Sequence, residues 1–444
     1  MQNNKTETAP TKPSRRIFFN LGTFQFLTFL RRGVFYTFMI PYLNVLMGTV
    51  TYTAMFGTFT MIASSLGQNL LWGKICDRYR TRTKLIISGE AIAAFTYIIV
   101  FFIHKSLLDS GNMFSSGLAI ISGLSILEFF WSMSDVGWAA LLTDVTTPEI
   151  RGKTVGTMNF IASLGRMVGI QYAGFLYDNG QGFQNGTIFY VVTILLLTGA
   201  VLMAFTSRQV KTRKNTQEQS CADKKQTQEQ RHTAFEGENQ KTYRWFLVSL
   251  IVIVLGASSI SQVFILFTQL KEGLNASGPE MGFILTAWTI GGMIASLTAG
   301  GLADRIGRSK VLLLGLGLGT ITPLLYSSAP NVLSLALVYS LNGMSFWTIQ
   351  TIGFVFAGDL IPEQSRARSL SRYNMVMALS WGPAGLLIGG PLADIQTKSL
   401  GIPVHTAYVN TFYASTIILA LGTLLFVLKV ARPKKTEALK HKNP

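Results

Sequence analysis

Six ionisable side chains interrupt long apolar runs in the first half of the sequence: Arg31, Arg32, Glu90, Glu128, Asp135 and Arg166. Three are cations and three are acids, so the set can neutralise itself by internal pairing. An Arg near the middle of a bilayer-spanning helix costs roughly 3 kcal/mol on the insertion scale, so three cost about 9 kcal/mol unless a partner, water or a ligand meets them. Helical spacing sorts them by face. Gln25, Thr28, Arg32 and Tyr36 share one polar face, whereas Arg31 lies with Phe24, Leu27, Phe35 and Phe38. Arg32 is therefore expected to face a polar interior, and Arg31 to pack or to pair structurally. A second stripe holds Ser125, Glu128, Trp131, Asp135 and Trp138, and a third holds Asn159, Ser163 and Arg166. Ser258, Gln262 and Gln269 form an uncharged stripe in the second half. Glu90 is placed a turn or two from the end of its run, close enough to reach water. Trp131, Trp138, Trp288, Trp347 and Trp381 can stack on an apolar or cationic solute, or simply pack helices.

The elements that carry these residues are membrane-spanning helices. Of 444 residues, 49% are hydrophobic and 13% charged, about half the charge of a soluble domain. Apolar runs of span length occur at 17–46, 50–73, 84–103, 115–142, 155–176, 187–206, 245–270, 280–303, 311–328, 331–357, 373–393 and 407–430. Each is long enough for a helix of about 20 residues. Alternating ten-residue segments of a barrel are absent. The division read from this pattern is a tail at 1–16, a six-helix half at 17–206, a polar linker at 207–244, a second half at 245–431 and a tail at 432–444. The apolar run after residue 16 lacks a small-residue cleavage site, so a removable secretory signal is not expected.

The net charge of +17 reports topology. Thirty-two of the 38 Lys and Arg fall in the tails, the linker and alternate loops on one side, and three (Lys105, Lys271, Lys398) fall on the other. The positive-inside rule then puts both termini and the linker in the cytoplasm of a multi-pass protein in the cell inner membrane. No basic folded domain is left for nucleic acid. Cys76 and Cys221 both fall in cytoplasmic segments and suggest neither a disulfide nor a metal site. The four His lie in loops or tails, and no phosphate-binding G-x-x-x-x-G-K-[ST] loop occurs. Enzymatic and ATP-driven functions are disfavoured, and no cofactor is expected.

Two loop motifs repeat. Gly73, Asp77 and Arg78 open a basic loop after run two, and Gly300, Asp304, Arg305 and Arg308 do so after run eight, 227 positions later. Asp144 to Gly152 after run four likewise parallels Asp359 to Ala367 after run ten. At these residues the chain resembles the major facilitator superfamily, whose signature G-x-L-A-D-R-x-G-R-[KR] the second copy matches almost fully. The first copy has Cys76 for Ala and Arg80 for Gly. The resemblance implies an all-α fold of twelve helices in two pseudo-symmetric six-helix halves. It implies that Asp77 and Asp304 belong to a cytoplasmic gate, with Arg151 and Arg366 as partners. It also implies that helices one, four, seven and ten line a central cavity, which makes Arg32, Glu128, Trp131, Asp135, Arg166 and Gln262 the candidate solute and proton pathway. Burial raises the pKa of an acid and a nearby Arg lowers it, so a cycle alternating the two can load and release a proton. Glu128 and Asp135 are the expected proton carriers, with Arg32 and Arg166 as switching partners. The glycine- and proline-rich segment 381–391 is similar to one that drug/proton antiporters of this superfamily carry in span five.

The expected function is secondary active transport of a small organic solute by alternating access, coupled to protons, with efflux of amphipathic compounds favoured. Transport of an anionic metabolite through the buried Arg residues, and a non-transporting sensor with a transporter fold, are the alternatives. The expected partners are the lipid bilayer, the solute and protons; a monomer is expected.

Overall fold

In hydrocarbon every backbone N–H and C=O must be satisfied within the chain, which leaves helices as the spanning element for sequences of this pattern. The computed structural model describes residues 15–79, 82–146, 148–217, 236–361 and 366–431, and the regular elements among them are helical. They are α1 (Arg15–Tyr36), α2 (Met39–Met47), α3 (Val50–Leu66), α4 (Gly73–Tyr79), α5 (Arg82–Asp109), α6 (Met113–Val145), α7 (Pro148–Tyr177), α8 (Gln181–Gln184) and α9 (Thr187–Gln217). They continue with α10 (Glu236–Ser259), α11 (Ser261–Thr268), α12 (Gly278–Ile306), α13 (Arg308–Tyr326), α14 (Val332–Asp359), α15 (Arg366–Trp381), α16 (Gly390–Asp394) and α17 (Val404–Phe426). Among the described residues, eight helical segments are long and apolar enough to cross a membrane: α5, α6, Thr187–Ser207, Gln240–Thr268, α12, α13, α14 and Val404–Ala431. The other four expected spans are helical but broken or more polar. The first breaks between α1 and α2; the second passes through a π-turn at Gly67–Trp72. The fifth is α7, which carries Asn159 and Arg166. The eleventh is divided by a π-turn at Gly385–Gly389, beside Pro383 and Pro391, whose missing N–H groups interrupt a regular ladder.

The described residues form two compact units. The first comprises Met1–Phe38 and Ala63–Lys225. Here α5 lies along α6 and α9, and α1 along α7 and α9. The α1–α7 crossing is close because it is built on glycine, as small-residue helix pairs in membranes are. A Cβ on Gly169 would sit 2.2 Å from the Leu30 carbonyl oxygen, and one on Gly33 2.5 Å from that of Arg166. Near the end of α1, the Phe35 ring meets Tyr97, Phe183 and Phe189 edge-on, and in the turn that follows Phe38 stacks on Tyr177.

The second unit comprises Met39–Ile62 and Gln226–Pro444. It includes α2 and most of α3, which precede the linker in the sequence. Its core gathers Phe246, Leu250, Leu312, Leu316, Ile352, Tyr373 and Phe426 from α10, α13, α14, α15 and α17. The start of α3 is held by a distant acid. Thr49 caps it by accepting from the Tyr52 N–H at 3.1 Å. The Asp394 carboxylate accepts from the Val50 N–H at 3.0 Å and the Thr51 N–H at 2.8 Å. The first three donors of the helix, which have no partner within it, are thereby all satisfied. Lys398 Nζ donates to the Gly48 carbonyl at 2.9 Å, so one turn of chain is gripped at both its donors and its acceptor.

Candidate functional site

The charged residues of the first unit converge on Trp131. Arg31 is fully buried, 0% exposed. Its Nη1 donates to the Tyr97 hydroxyl at 2.9 Å, and its guanidinium carbon is 4.9 Å from the Trp131 ring centroid. Its Nε and Nη2 have no hydrogen-bond partner. The guanidinium carbon of Arg32 is 4.3 Å from the same centroid. A desolvated cation over an indole face gains about 2 kcal/mol, so one tryptophan offsets part of the cost of one buried and one half-buried cation.

The acids surround this arrangement. Glu90, 1% exposed, accepts through Oε1 from Trp131 Nε1 at 2.9 Å and from Ser134 Oγ at 2.7 Å. Glu128, 6% exposed, accepts from the Tyr36 hydroxyl. Asp135 is half-buried, receives a long contact of 3.5 Å from Gln68 Nε2, and has Arg32, Glu128 and Arg31 as its charged neighbours. Arg31 in turn lies in the field of Glu128 and Glu90. The indole therefore serves two chemistries at once: its face meets cations and its N–H meets an acid.

The structure brings together Arg32, Glu128, Trp131 and Asp135 as the face analysis expects. Arg31, expected to pack or to pair structurally, packs into the cluster as its most buried cation. One expectation is corrected, since Glu90, expected to reach water, is sealed inside it. Tyr97 was not anticipated, although Glu90, Ala93, Ala94 and Tyr97 fall on one buried face of α5. Arg166 is an exposed residue of α7, beside the glycine crossing with α1. Gln262 lies in the second unit, at the edge of burial. Its Oε1 accepts from Ser261 Oγ at 3.0 Å, and a Cβ on Gly385 would sit 2.2 Å from that oxygen.

The repeated loops show a second pattern. Arg82 at the start of α5 pairs with Asp144 near the end of α6, and Arg308 at the start of α13 pairs with Asp359 at the end of α14. Each pair joins the basic loop of one repeat to the acid that opens the later loop of the same repeat. Gly73 begins α4, and Arg78 lies 5.5 Å from the ring of its neighbour Tyr79. Asp304 and Arg305 are exposed, with Asp304 contributing to the field at Arg308, and Gly300 faces open space. The side chains of Asp77, Arg151 and Arg366 lie outside the described residues, as does Cys221.

The sequence matches the model of the Major Facilitator Superfamily over residues 21–271 and 247–444. The chain belongs to the Major Facilitator Superfamily. It is similar to Multidrug resistance protein 2 of Bacillus subtilis (strain 168), 28% identical over 192 residues, which are 43% of this chain and 44% of that protein. It is similar to the Quinolone resistance protein NorA of Staphylococcus aureus, 24% identical over 193 residues, 42% of this chain and 45% of that protein. The matched stretch thus spans under half the length of these curated relatives. Its fold resembles that of a bacterial homologue of the iron transporter ferroportin in an inward-facing state. The TM-score is 0.66 at 16% identity, covering 94% of this chain and 99% of that one. This superfamily member is a multi-pass helical membrane protein, consistent with the twelve-helix fold.

Proposed function

We propose that the protein is a secondary active transporter that moves a small organic solute by alternating access and couples that movement to protons. The observation that carries the reading is the set of Glu90, Glu128 and Asp135 packed with Arg31 and Arg32 around Trp131, inside a helical unit of the superfamily fold. Buried acids next to buried cations are costly, and a proton that comes and goes gives them a use. Export of amphipathic compounds is the preferred direction and substrate class. The relatives' names and the aromatic faces at the cluster support it. A second reading, transport of an anionic metabolite, is favoured by the two unpartnered donors of Arg31. In this reading of the loops, Asp77 and Asp304, with Gly73, Arg78, Gly300, Arg305 and Arg308, form a cytoplasmic gate with Arg151 and Arg366. The charge bias supports a cell inner membrane location with cytoplasmic termini, and a monomer is the working assembly.

The test is proton flux in proteoliposomes under an imposed pH gradient, scanned against cationic dyes, quinolones and organic anions. Solute-dependent proton movement that Glu128→Gln abolishes, while solute exchange survives, is the expected result. No flux with any compound would favour the sensor reading. Normal uphill accumulation in both Glu128→Gln and Asp135→Asn would remove the coupling assignment.

A further inference from the structure

The helix α3 is held at its two ends by different units. Its first part, to Ile62, belongs to the second unit, and its last turn, from Ala63, to the first. At the first end the Asp394 carboxylate accepts from the Val50 and Thr51 N–H groups, and Lys398 Nζ donates to the Gly48 carbonyl. Farther along, the Thr58 hydroxyl reaches the Gly382 carbonyl at 3.0 Å. At the other end α3 runs directly into the π-turn at Gly67–Trp72, which is fixed to α6. Trp72 Nε1 donates to the Phe129 carbonyl at 2.8 Å, and a Cβ on Gly67 would sit 2.4 Å from Ser132 Oγ. The same turn carries Gln68, the residue that reaches Asp135. The helix itself is 17 residues without a proline, about 25 Å long. Such a helix moves as a rod, since sharp bends need a proline, a π-bulge or an inserted group. A shift of one unit against the other therefore has to release one end of α3.

The two ends differ in how readily they let go. The π-turn end rests on backbone approach at a buried glycine and on an indole donor packed against α6. The first end rests on charge at a wet rim: Asp394 is half-buried and Lys398 exposed. Water replaces the bonds of exposed charges at small net cost, whereas a packed interior contact has nothing to replace it. We propose that α3 is a lever with a latch at its first turn: Asp394 and Lys398 hold it to the second unit and release it when that side of the membrane opens. Gly48 lies between spans one and two and Lys398 between spans eleven and twelve, so the latch is on the side opposite the linker. The other end of the lever stays fixed to α6 beside Asp135. A change at Asp135 thereby has a mechanical route, through one rigid element, to a closure at the far end of α3. The proposed cytoplasmic gate gains a counterpart across the membrane.

The inference rests on the alternating-access reading, but its test needs no solute. Spin labels are placed on Tyr52→Cys, in the first turn of α3, and on Leu400→Cys, just beyond Lys398, both exposed positions. The background carries Cys76→Ser and Cys221→Ser, and the distance distribution is measured by pulsed electron paramagnetic resonance in lipid nanodiscs. One short distance should dominate the parent. Asp394→Asn keeps one acceptor oxygen but turns an NH2 towards the second backbone N–H. A longer distance should then appear, with the open-to-closed ratio raised about tenfold. Lys398→Met should raise the ratio about two- to threefold. Because Lys398 is exposed, this variant keeps the test readable if Asp394→Asn fails to fold. A second label pair, Leu70→Cys with Ile126→Cys, also exposed, spans the other end and should keep its distance in both variants. Parent-like distributions in the variants that fold, or movement at the second label pair in place of the first, would overturn the latch. Proton flux in the same proteins separates this inference from the reading beneath it. A longer distance in the latch variants, with no solute-dependent flux in the parent, would remove transport and keep the latch. Flux in the parent with unchanged distances in both variants would do the reverse.

Discussion

Trp131 is where the charges of the first unit are reconciled. Its face meets Arg31 and Arg32 and its Nε1 meets Glu90. Trp131→Phe keeps an aromatic face for the cations but leaves Glu90 with Ser134 as its remaining donor. A buried hydrogen bond to a charged group contributes roughly 1.5–3 kcal/mol, so the variant should lose about 2 kcal/mol of stability, read as a lower unfolding midpoint in detergent. Trp131→Ala should lose clearly more, since both guanidiniums then lose the indole face; equal losses in the two variants would remove the cation contacts from the account. The sequence allowed Arg32, Glu128, Trp131 and Asp135 to be grouped, because they recur at helical spacing on two polar stripes. It did not show that Arg31 packs beside Glu90 and the acids, or that Glu90 is sealed in, for one physical reason. Periodicity tells which residues share a face, not which neighbour that face will meet. The aromatic side of α1 meets Tyr97 and Trp131, both of which combine an apolar body with a polar tip. A stripe that reads as apolar core can therefore hold an ion.

Between elements, backbone approach decides more than side-chain attraction. The α1–α7 crossing leaves no room for a side chain at Gly169, where a Cβ would sit 2.2 Å from Leu30 O. Gly169→Val should force the helices apart and cost at least the 1–3 kcal/mol typical of overpacking. Folded protein in the membrane should fall, with Gly317→Ala, which meets nothing within 4 Å, as the unaffected comparison. Similar yields for the two would contradict the crossing. The glycine spacing at Gly165 and Gly169 is visible in the sequence, but its partner is not, since the opposing atoms are carbonyls that any residue supplies. The ion pairs of the two repeats were half legible in the same way. The loops that hold Asp144 and Asp359 repeat in the sequence, and the family resemblance implies Arg151 and Arg366 there as partners of Asp77 and Asp304. The partners of Asp144 and Asp359 themselves are Arg82 and Arg308, which α5 and α13 bring beside Asp144 on α6 and Asp359 on α14.

Over the whole molecule, the helical fold was readable because a chain in hydrocarbon has so few ways to satisfy its backbone. The break at Gly385 was announced by the glycine- and proline-rich segment 381–391, but those at Tyr36 and Gly67 were not, since each run stays apolar through its break. Orientation is a separate matter that the 32-to-3 charge asymmetry addresses. An impermeant thiol reagent should fail to label Cys221 in right-side-out vesicles and succeed after permeabilisation; labelling from outside would reverse the orientation. The grip of Asp394 on α3 also sets a timetable for biosynthesis. The Val50 N–H is made 344 residues before the carboxylate that receives it. At roughly 5–20 residues per second the wait is on the order of half a minute. Throughout that interval the first turn of α3 has two donors with no protein acceptor, so this helix reaches its final state only when nearly all of the chain has been synthesised. A chain ended at residue 389 should show fast amide exchange at Val50 and Thr51, and the full-length chain slow exchange. Equal protection in both would mean that α3 settles without its late-arriving cap.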